Sequence, residues 1–235
     1  MENKVAVVIP TYNERENIRA LLVHLLKLYP GLRIFVVDDN SPDGTAELVQ
    51  DIAKNYDSVR LIWRDQKLGL ASAYLDAFAR IIPDPELEYI VTMDADFSHH
   101  PGDLGELLRH ALSHDVVVGS RYVGGGAVEN WNFWRKFLSK WANMYAELIT
   151  GVPVADLTAG FVVYRRDILG QILTRFEKSE GYAYQIEMKY LAHKLGAKIK
   201  EVPITFRERN SGKSKFTGTV IWEGVFIPWY LRFFK

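Results

Sequence analysis

Cysteine is absent from the 235 residues. That excludes disulfides, thiolate nucleophiles and cysteine-ligated zinc, and it leaves no sign of an oxidising compartment. Net charge is absent as well. The 29 basic residues balance 29 acidic ones, so the chain as a whole has no pull toward nucleic acid. No apolar stretch reaches the roughly 20 residues that a membrane-spanning helix needs. Met1-Glu2-Asn3-Lys4 runs straight into Val5-Ala6-Val7-Val8-Ile9, so no secretory leader is expected. The first glycine is Gly31, which removes the glycine-rich turn of a dinucleotide-binding fold. Gly212-Lys213-Ser214 looks like the tail of a P-loop, but Arg207 stands where that loop needs glycine.

What is present reads as a globular α/β chain, 48% apolar and 25% charged. Residues 5–9, 34–37, 59–63, 89–93 and 116–118 are short, continuous apolar runs rich in β-branched residues, expected as strands buried on both faces. Helical periodicity separates them. Ile18, Leu21, Leu22, Leu25, Leu26 and Tyr29 form one face, with Asn13 and Glu16 spaced as a capping-box variant. A second helix is expected to start near Ser41-Pro42, a third over 70–81 and a fourth over 102–111. This alternation predicts a mostly parallel central sheet flanked by helices. The second half predicts helices over 128–149, 168–176 and 184–195, a strand over 198–206 and an apolar segment over 220–234. We expect one domain over 1–235 with no internal repeat. Residues 1–110 are net acidic and 195–235 net basic, an asymmetry that suits a cation at the front and anions at the rear but is common in folded domains.

Ligands of such sheets bind beyond the carboxyl ends of the strands. Those ends carry Glu14, Asp38, Asp39, Asp65, Asp94 and Asp96. Asp94 and Asp96 are two apart, so on an extended strand both carboxylates face one spot. Two carboxylates that close repel unless a cation lies between them, and oxygen-rich pairs favour Mg²⁺ or Mn²⁺ shared with substrate phosphates. The alternative is an exposed turn that caps the next helix. Arg135 and Ser139 are four apart and share a helical face, and a guanidinium fork beside a hydroxyl suits a phosphate. His99 and His100 lack the spacing of a zinc pair and read as structural. Trp131, Trp134, Phe137, Leu138, Trp141 and Tyr145 accompany Arg135, Lys136 and Lys140. Such a stripe is either core or a membrane-interface face. The segment 220–234, broken by Pro228, suits an interface or a partner subunit.

Pro10-Thr11-Tyr12-Asn13-Glu14, the run from Val36 to Thr45, and Met93-Asp94-Ala95-Asp96 resemble the signatures of family 2 glycosyltransferases. Ser98-His99-His100-Pro101, Gly119-Ser120-Arg121-Tyr122, the run from Asp156 to Phe161 and Gly212-Lys213-Ser214-Lys215 narrow the resemblance to polyprenyl-phosphate sugar synthases, above all the dolichyl-phosphate mannose synthases. It covers the whole chain. The resemblance implies a nucleotide-sugar-binding fold of the GT-A type, with a donor half over about 1–122 and an acceptor half over about 123–235. It implies inverting transfer of mannose from GDP-mannose to dolichyl or another polyprenyl phosphate, with Mg²⁺ or Mn²⁺ as cofactor. Pro10, Tyr12, Glu14, Val37 and Asp39 would then surround the nucleoside. Asp94, Ala95 and Asp96 would meet the diphosphate and its metal, with Ser98 where some relatives have glutamine. Arg209, Ser214 and Lys215, in a basic loop over 207–215, would close on the diphosphate. Arg121, Arg135 and Ser139 would take the lipid phosphate, and Asp96, Arg121 and Arg135 are the catalytic candidates.

The Gln-x-x-Arg-Trp motif of processive relatives is missing. Glu187 stands where the wider family often places a carboxylate base, and its role is open. An anionic lipid phosphate needs no base, so a single displacement without a covalent intermediate is expected. The implied setting is cytoplasmic, peripheral to the cytoplasmic face of a membrane, reached through an interfacial surface or a small membrane-spanning partner. The runner-up is glucose transfer from UDP-glucose to the same lipid. Another family 2 transferase acting on protein or polysaccharide and a non-catalytic membrane adaptor are further alternatives.

Overall fold

The computed structural model describes residues 2–177, 181–208 and 218–235, with side chains at 2–177, 183–208 and 224–235. Its front half alternates β1 (Val5–Thr11), α1 (Arg15–Leu28), β2 (Arg33–Asp38), α2 (Thr45–Ala53), β3 (Val59–Trp63), α3 (Leu70–Ile81), β4 (Tyr89–Thr92), α4 (Leu104–Ala111) and β5 (Val116–Ser120). The rear half adds β6 (Ala127–Glu129), α5 (Phe133–Thr150), β7 (Val162–Arg165), α6 (Arg166–Leu173), α7 (Gly181–Lys194), β8 (Ile199–Pro203), β9 (Thr205–Arg207) and α8 (Gly218–Phe234).

Seven strands form one sheet in the order β3-β2-β1-β4-β7-β5-β8, and β6 pairs with β9 in a small second sheet. Only β7 runs antiparallel in the large sheet, between β4 and β5. The continuous apolar strands follow from helices on both faces. Ala6, Val8, Phe35 and Val37 pack toward α3 and α7, while Val5, Val7, Ile9, Ile34 and Val36 pack toward α1 and α4. Each fully buried side chain of this size stabilises by about 1.5–3 kcal/mol, which fixes the register of β1 and β2.

Several expected elements change at their ends. Asn13 does not cap α1: it has φ 60°, and its backbone amide donates to Ser41 Oγ at 3.0 Å. Glu14 occupies the cap position, with its Oε2 accepting from the Asn17 side chain at 2.8 Å rather than from a first-turn backbone amide. The helix expected from 128 begins only at Phe133, because Val128 is in β6 and Asn132 supplies the cap, its Oδ1 accepting from Arg135 N at 2.8 Å. Gly126 before β6 is required by packing, since a Cβ there would lie 2.7 Å from the Ser120 carbonyl. The strand expected over 198–206 is two strands, because Ile204 leaves the sheet ladder and β9 turns to β6. The strand β7 was not anticipated. The C-terminal apolar segment is helical.

Candidate active site

The sheet places its chemistry by topology. The chain passes β1, β2 and β3 outward, then returns to β4 on the far side of β1. That reversal opens a crevice at the carboxyl ends of β1 and β4, where ligands of open α/β sheets bind. A cleft of about 410 Å³ lies there. Along its edge stand Asp39 after β2, Tyr12 after β1, Asp94 and Asp96 after β4, and Arg121 after β5. Because β7 is antiparallel, the segment leading into it brings Thr158, Ala159 and Gly160 to the same edge.

Asp38 and Asp39 divide the work of one strand end. Asp38 is buried and accepts from Thr11 Oγ1 at 2.8 Å and Ser41 Oγ at 2.6 Å, tying β1 to β2. Asp39 turns to the cleft, where its Oδ1 accepts from Arg64 Nε at 2.6 Å and its Oδ2 from the amides of Leu68 and Gly69 at 3.2 Å. That clamp fixes the loop carrying Lys67, whose Nζ lies 3.6 Å over the Tyr12 ring, a cation–π contact.

The strand ahead of the carboxylate pair ends at Thr92, so Asp94 and Asp96 sit on the following turn rather than on the strand itself. That turn is strained, with Phe97 at φ 60°. The Asp94 amide donates to His99 Nδ1 at 3.1 Å, and the His99 ring stacks on Phe161. With Nδ1 accepting that bond, Nε2 is left as the ring's donor. His100 likewise works on structure, its Nδ1 accepting from Gly102 N at 3.0 Å. Asp96 Oδ1 accepts from Ser98 N at 3.0 Å. Ser98 Oγ is buried and has no hydrogen-bond partner among the described residues. Among those residues no three His, Asp or Glu side chains converge as a metal site. Two carboxylates and a spare hydroxyl do fit a hard cation that completes its shell with phosphate oxygens.

At the other end Arg121 is held in a fork. Its Nε and Nη2 donate to Asp156 at 2.8 and 2.6 Å, and Nη2 also to Thr158 Oγ1 at 2.7 Å. Burial pushes the Asp156 carboxyl up, but the Arg121 charge and hydrogen bonds outweigh it and hold the group below its ordinary value. Arg135 packs over Trp131, 4.2 Å from the ring centroid, and pairs with Glu208. Trp131 lies ahead of α5, not on it, and packs against Phe206.

Of the expected site residues, Pro10, Tyr12, Glu14, Asp39, Asp94, Ala95, Asp96, Ser98, Arg121 and Arg135 line the cleft. Val37 does not: strand alternation turns it into the core beside α3. Ser139 does not line it either, its Oγ accepting from Tyr122 Oη at 2.7 Å. Arg209, Ser214 and Lys215 lie outside the described residues. Glu187 does not line the cleft; it accepts from the Glu177 amide and Lys235 Nζ, at 3.1 and 2.6 Å. Sequence reading missed Lys67, Thr158, Gln185 and Glu208, all of which line the cleft. The aromatic stripe of α5 is not core, since Trp134 is 74% exposed and Phe137 55%.

These features define an α/β protein with a cleft, lined by charged side chains, across the switch point of a mostly parallel sheet. The profile described as Glycosyl transferase family 2 matches residues 6–173. Polyprenol monophosphomannose synthase of Mycolicibacterium smegmatis is 42% identical over 233 residues, covering 97% of this chain and 88% of that protein. Undecaprenyl-phosphate mannosyltransferase of Micrococcus luteus is 40% identical over 222 residues, covering 94% and 91%. The crystal structure of glucosyl-3-phosphoglycerate synthase from Mycobacterium tuberculosis, with Mn²⁺, UDP-glucose and phosphoglyceric acid, aligns with a TM-score of 0.70 at 18% identity. The alignment covers 97% of this chain and 79% of that one, a likeness of fold. The chain belongs to glycosyl transferase family 2 and is a glycosyltransferase with a GT-A-like fold.

Proposed function

We propose that the protein transfers mannose from GDP-mannose to dolichyl phosphate or another polyprenyl phosphate and releases GDP. The observation that carries the reading is the order of groups along the cleft. Asp39 and Tyr12 stand at one end, Asp94 and Asp96 in the middle, and Arg121 and Arg135 at the other. The two relatives named for mannose and polyprenyl phosphates support mannose as the sugar and a polyprenyl phosphate as the acceptor.

In this reading Pro10, Tyr12, Glu14 and Asp39 hold the nucleoside, the Tyr12 ring offering a face for the base. Asp94 and Asp96, with the Ser98 hydroxyl, hold Mg²⁺ or Mn²⁺, which would offset charge on the departing diphosphate. Arg209 and Lys215 belong to the same assignment as diphosphate ligands. Arg121 and Arg135 aim the acceptor phosphate, whose second pKa of roughly 6 leaves it anionic near neutrality. No general base is required. One phosphate oxygen bonds to the anomeric carbon as the bond from that carbon to the diphosphate oxygen breaks. The electron pair leaves on GDP, the configuration inverts, and no sugar–enzyme bond forms. The front half takes the donor and the rear half the acceptor, with the exposed aromatic face of α5 and α8 on the membrane surface.

The test mixes sugar-labelled GDP-mannose with a short polyprenyl phosphate in detergent, with and without Mg²⁺ or Mn²⁺. Metal-dependent label in the lipid phase is expected, with an inverted anomeric configuration by proton NMR. Asp96→Ala should abolish both turnover and metal-dependent nucleotide binding. Label from UDP-glucose instead would overturn the sugar and base, and failure of both donors would overturn the acceptor.

A further inference from the structure

A buried lysine that the proposed chemistry does not use lies directly under the cleft. Lys189, on α7, is fully buried, and its Nζ meets three oxygens: Ala159 O at 2.8 Å, Gln185 O at 3.3 Å and Gln185 Oε1 at 3.3 Å. Burial pushes Lys189 down to about 7, opposed by the nearby Asp156 charge. Below that value it is an ammonium, with three N–H donors and no lone pair. Two of its partners are backbone carbonyls, so the third N–H needs the amide oxygen of Gln185. The amide is therefore fixed with Oε1 inward and Nε2 outward.

Gln185 is itself 3% exposed, and it lines the cleft. Its Nε2 makes no hydrogen bond within the described residues, so the cleft wall carries an amide donor with no acceptor among them. Its place along the cleft is set by its neighbours. Ala159, which shares Lys189 with it, lies between Thr158 and Gly160. Thr158 accepts from Arg121, while a Cβ on Gly160 would lie 3.8 Å from both carboxylate oxygens of Asp94. Gln185 thus emerges between the carboxylate pair and the guanidinium. With the diphosphate on one and the acceptor phosphate on the other, that span is where the transferred sugar lies, a step that rests on the proposed function.

We infer that Gln185 Nε2 donates a hydrogen bond to a hydroxyl of the transferred sugar, and that Lys189 is the positioning residue that aims it. A sugar hydroxyl has the lone pairs that this donor lacks, and the amide is held before substrate arrives.

The test is calorimetric, with GDP and GDP-mannose in the presence of Mg²⁺, below pH 7 where Lys189 holds its proton. Gln185→Glu keeps an oxygen for Lys189 but turns an acceptor toward the sugar, and Gln185→Leu removes both groups. Gln185→Leu should weaken GDP-mannose by about 3–10-fold and leave GDP within about twofold. Gln185→Glu, which exchanges the donated bond for one accepted from the same hydroxyl, should change the ratio by less. Lys189→Met, which frees the amide to flip, should lower the same ratio of affinities by less. Deoxy-sugar analogues of GDP-mannose identify the hydroxyl, because the one that loses affinity in the wild type should lose none in Gln185→Leu. An unchanged ratio in both Gln185 variants overturns the inference, as does a parallel loss of GDP and GDP-mannose. Wild-type protein that ignores both ligands but binds UDP-glucose overturns the donor assignment alone, and the ratio is then read with UDP and UDP-glucose.

Discussion

Arg121 enters the cleft already engaged, and the residue that engages it never reaches the surface. Asp156 is fully buried and takes two side-chain bonds and one backbone bond from Arg121, while its own amide and that of Ala155 donate to Glu201. Removing one partner of a buried pair strands the other charge, so Asp156→Asn should destabilise by about 3–5 kcal/mol. The pH dependence has a definite sign. A carboxyl held below its ordinary value of 3.8 contributes stability that is complete above that value and lost as pH falls through the folded one. Urea midpoints should fall steeply for the wild type below about pH 4 and more gently for Asp156→Asn. Equal slopes would remove Asp156 from the pH response. At this scale the strand ends made Asp39, Asp94 and Asp96 legible, and the family resemblance added Tyr12 and Arg121. Thr158, Gln185 and Glu208 were not legible because their places depend on β7, α7 and β9. Glu187 shows why Gln185 was overlooked: two residues along a helix turn a side chain to the opposite side, and the family analogy favoured the carboxylate.

At the scale of elements, α5 carries much of the proposed acceptor side and depends on its first turn. Asn132 Oδ1 caps it at the Arg135 amide, so the residue that fixes the helix start also fixes the backbone of the guanidinium above Trp131. Asn132→Ala should cost about 1 kcal/mol, lowering Tm by about 2–4 °C in a chain of this size. It should raise KM for the lipid phosphate more than for the nucleotide-sugar, because Arg135 lies at the frayed end. A greater effect on the donor would move Arg135 to that side of the cleft. The front elements were legible because hydrophobic periodicity and length agree there, and α3 spans 70–81 as its apolar spacing predicts. The rear was less so. A four-residue strand between two sheet neighbours, β7, has no period of its own. Val128 and Trp131 are three apart, a helical spacing that extends the apparent helix back to 128 until pairing with β9 claims 127–129.

For the whole molecule, the cleft and an apolar surface share one helix. Arg135 lines the cleft, while on the outer side of α5 Phe133, Trp134, Phe137, Leu138 and Trp141 are exposed. Helix α8 extends that surface with Phe226, Trp229, Phe233 and Phe234, and the two helices are joined where Tyr145 Oη donates to Val225 O at 3.0 Å and accepts from Trp229 Nε1 at 2.8 Å. No helix among the described residues is long and apolar enough to cross a membrane, whereas aromatic and basic residues together on a helix suit the lipid interface. A lipid phosphate could then reach Arg121 and Arg135 while its chain stays in the bilayer. Trp134→Ser with Phe137→Ser tests this without touching the cleft. Burying two such rings is worth about 3 kcal/mol or more. Co-sedimentation with anionic phospholipid vesicles, and turnover on a long-chain acceptor carried in them, should therefore fall at least about tenfold. Exposed positions tolerate substitution within about 0.5 kcal/mol, so Tm and turnover on a short water-soluble acceptor should hold. Loss on both acceptors would assign the two rings to the cleft itself, and unchanged vesicle binding would take this face off the membrane.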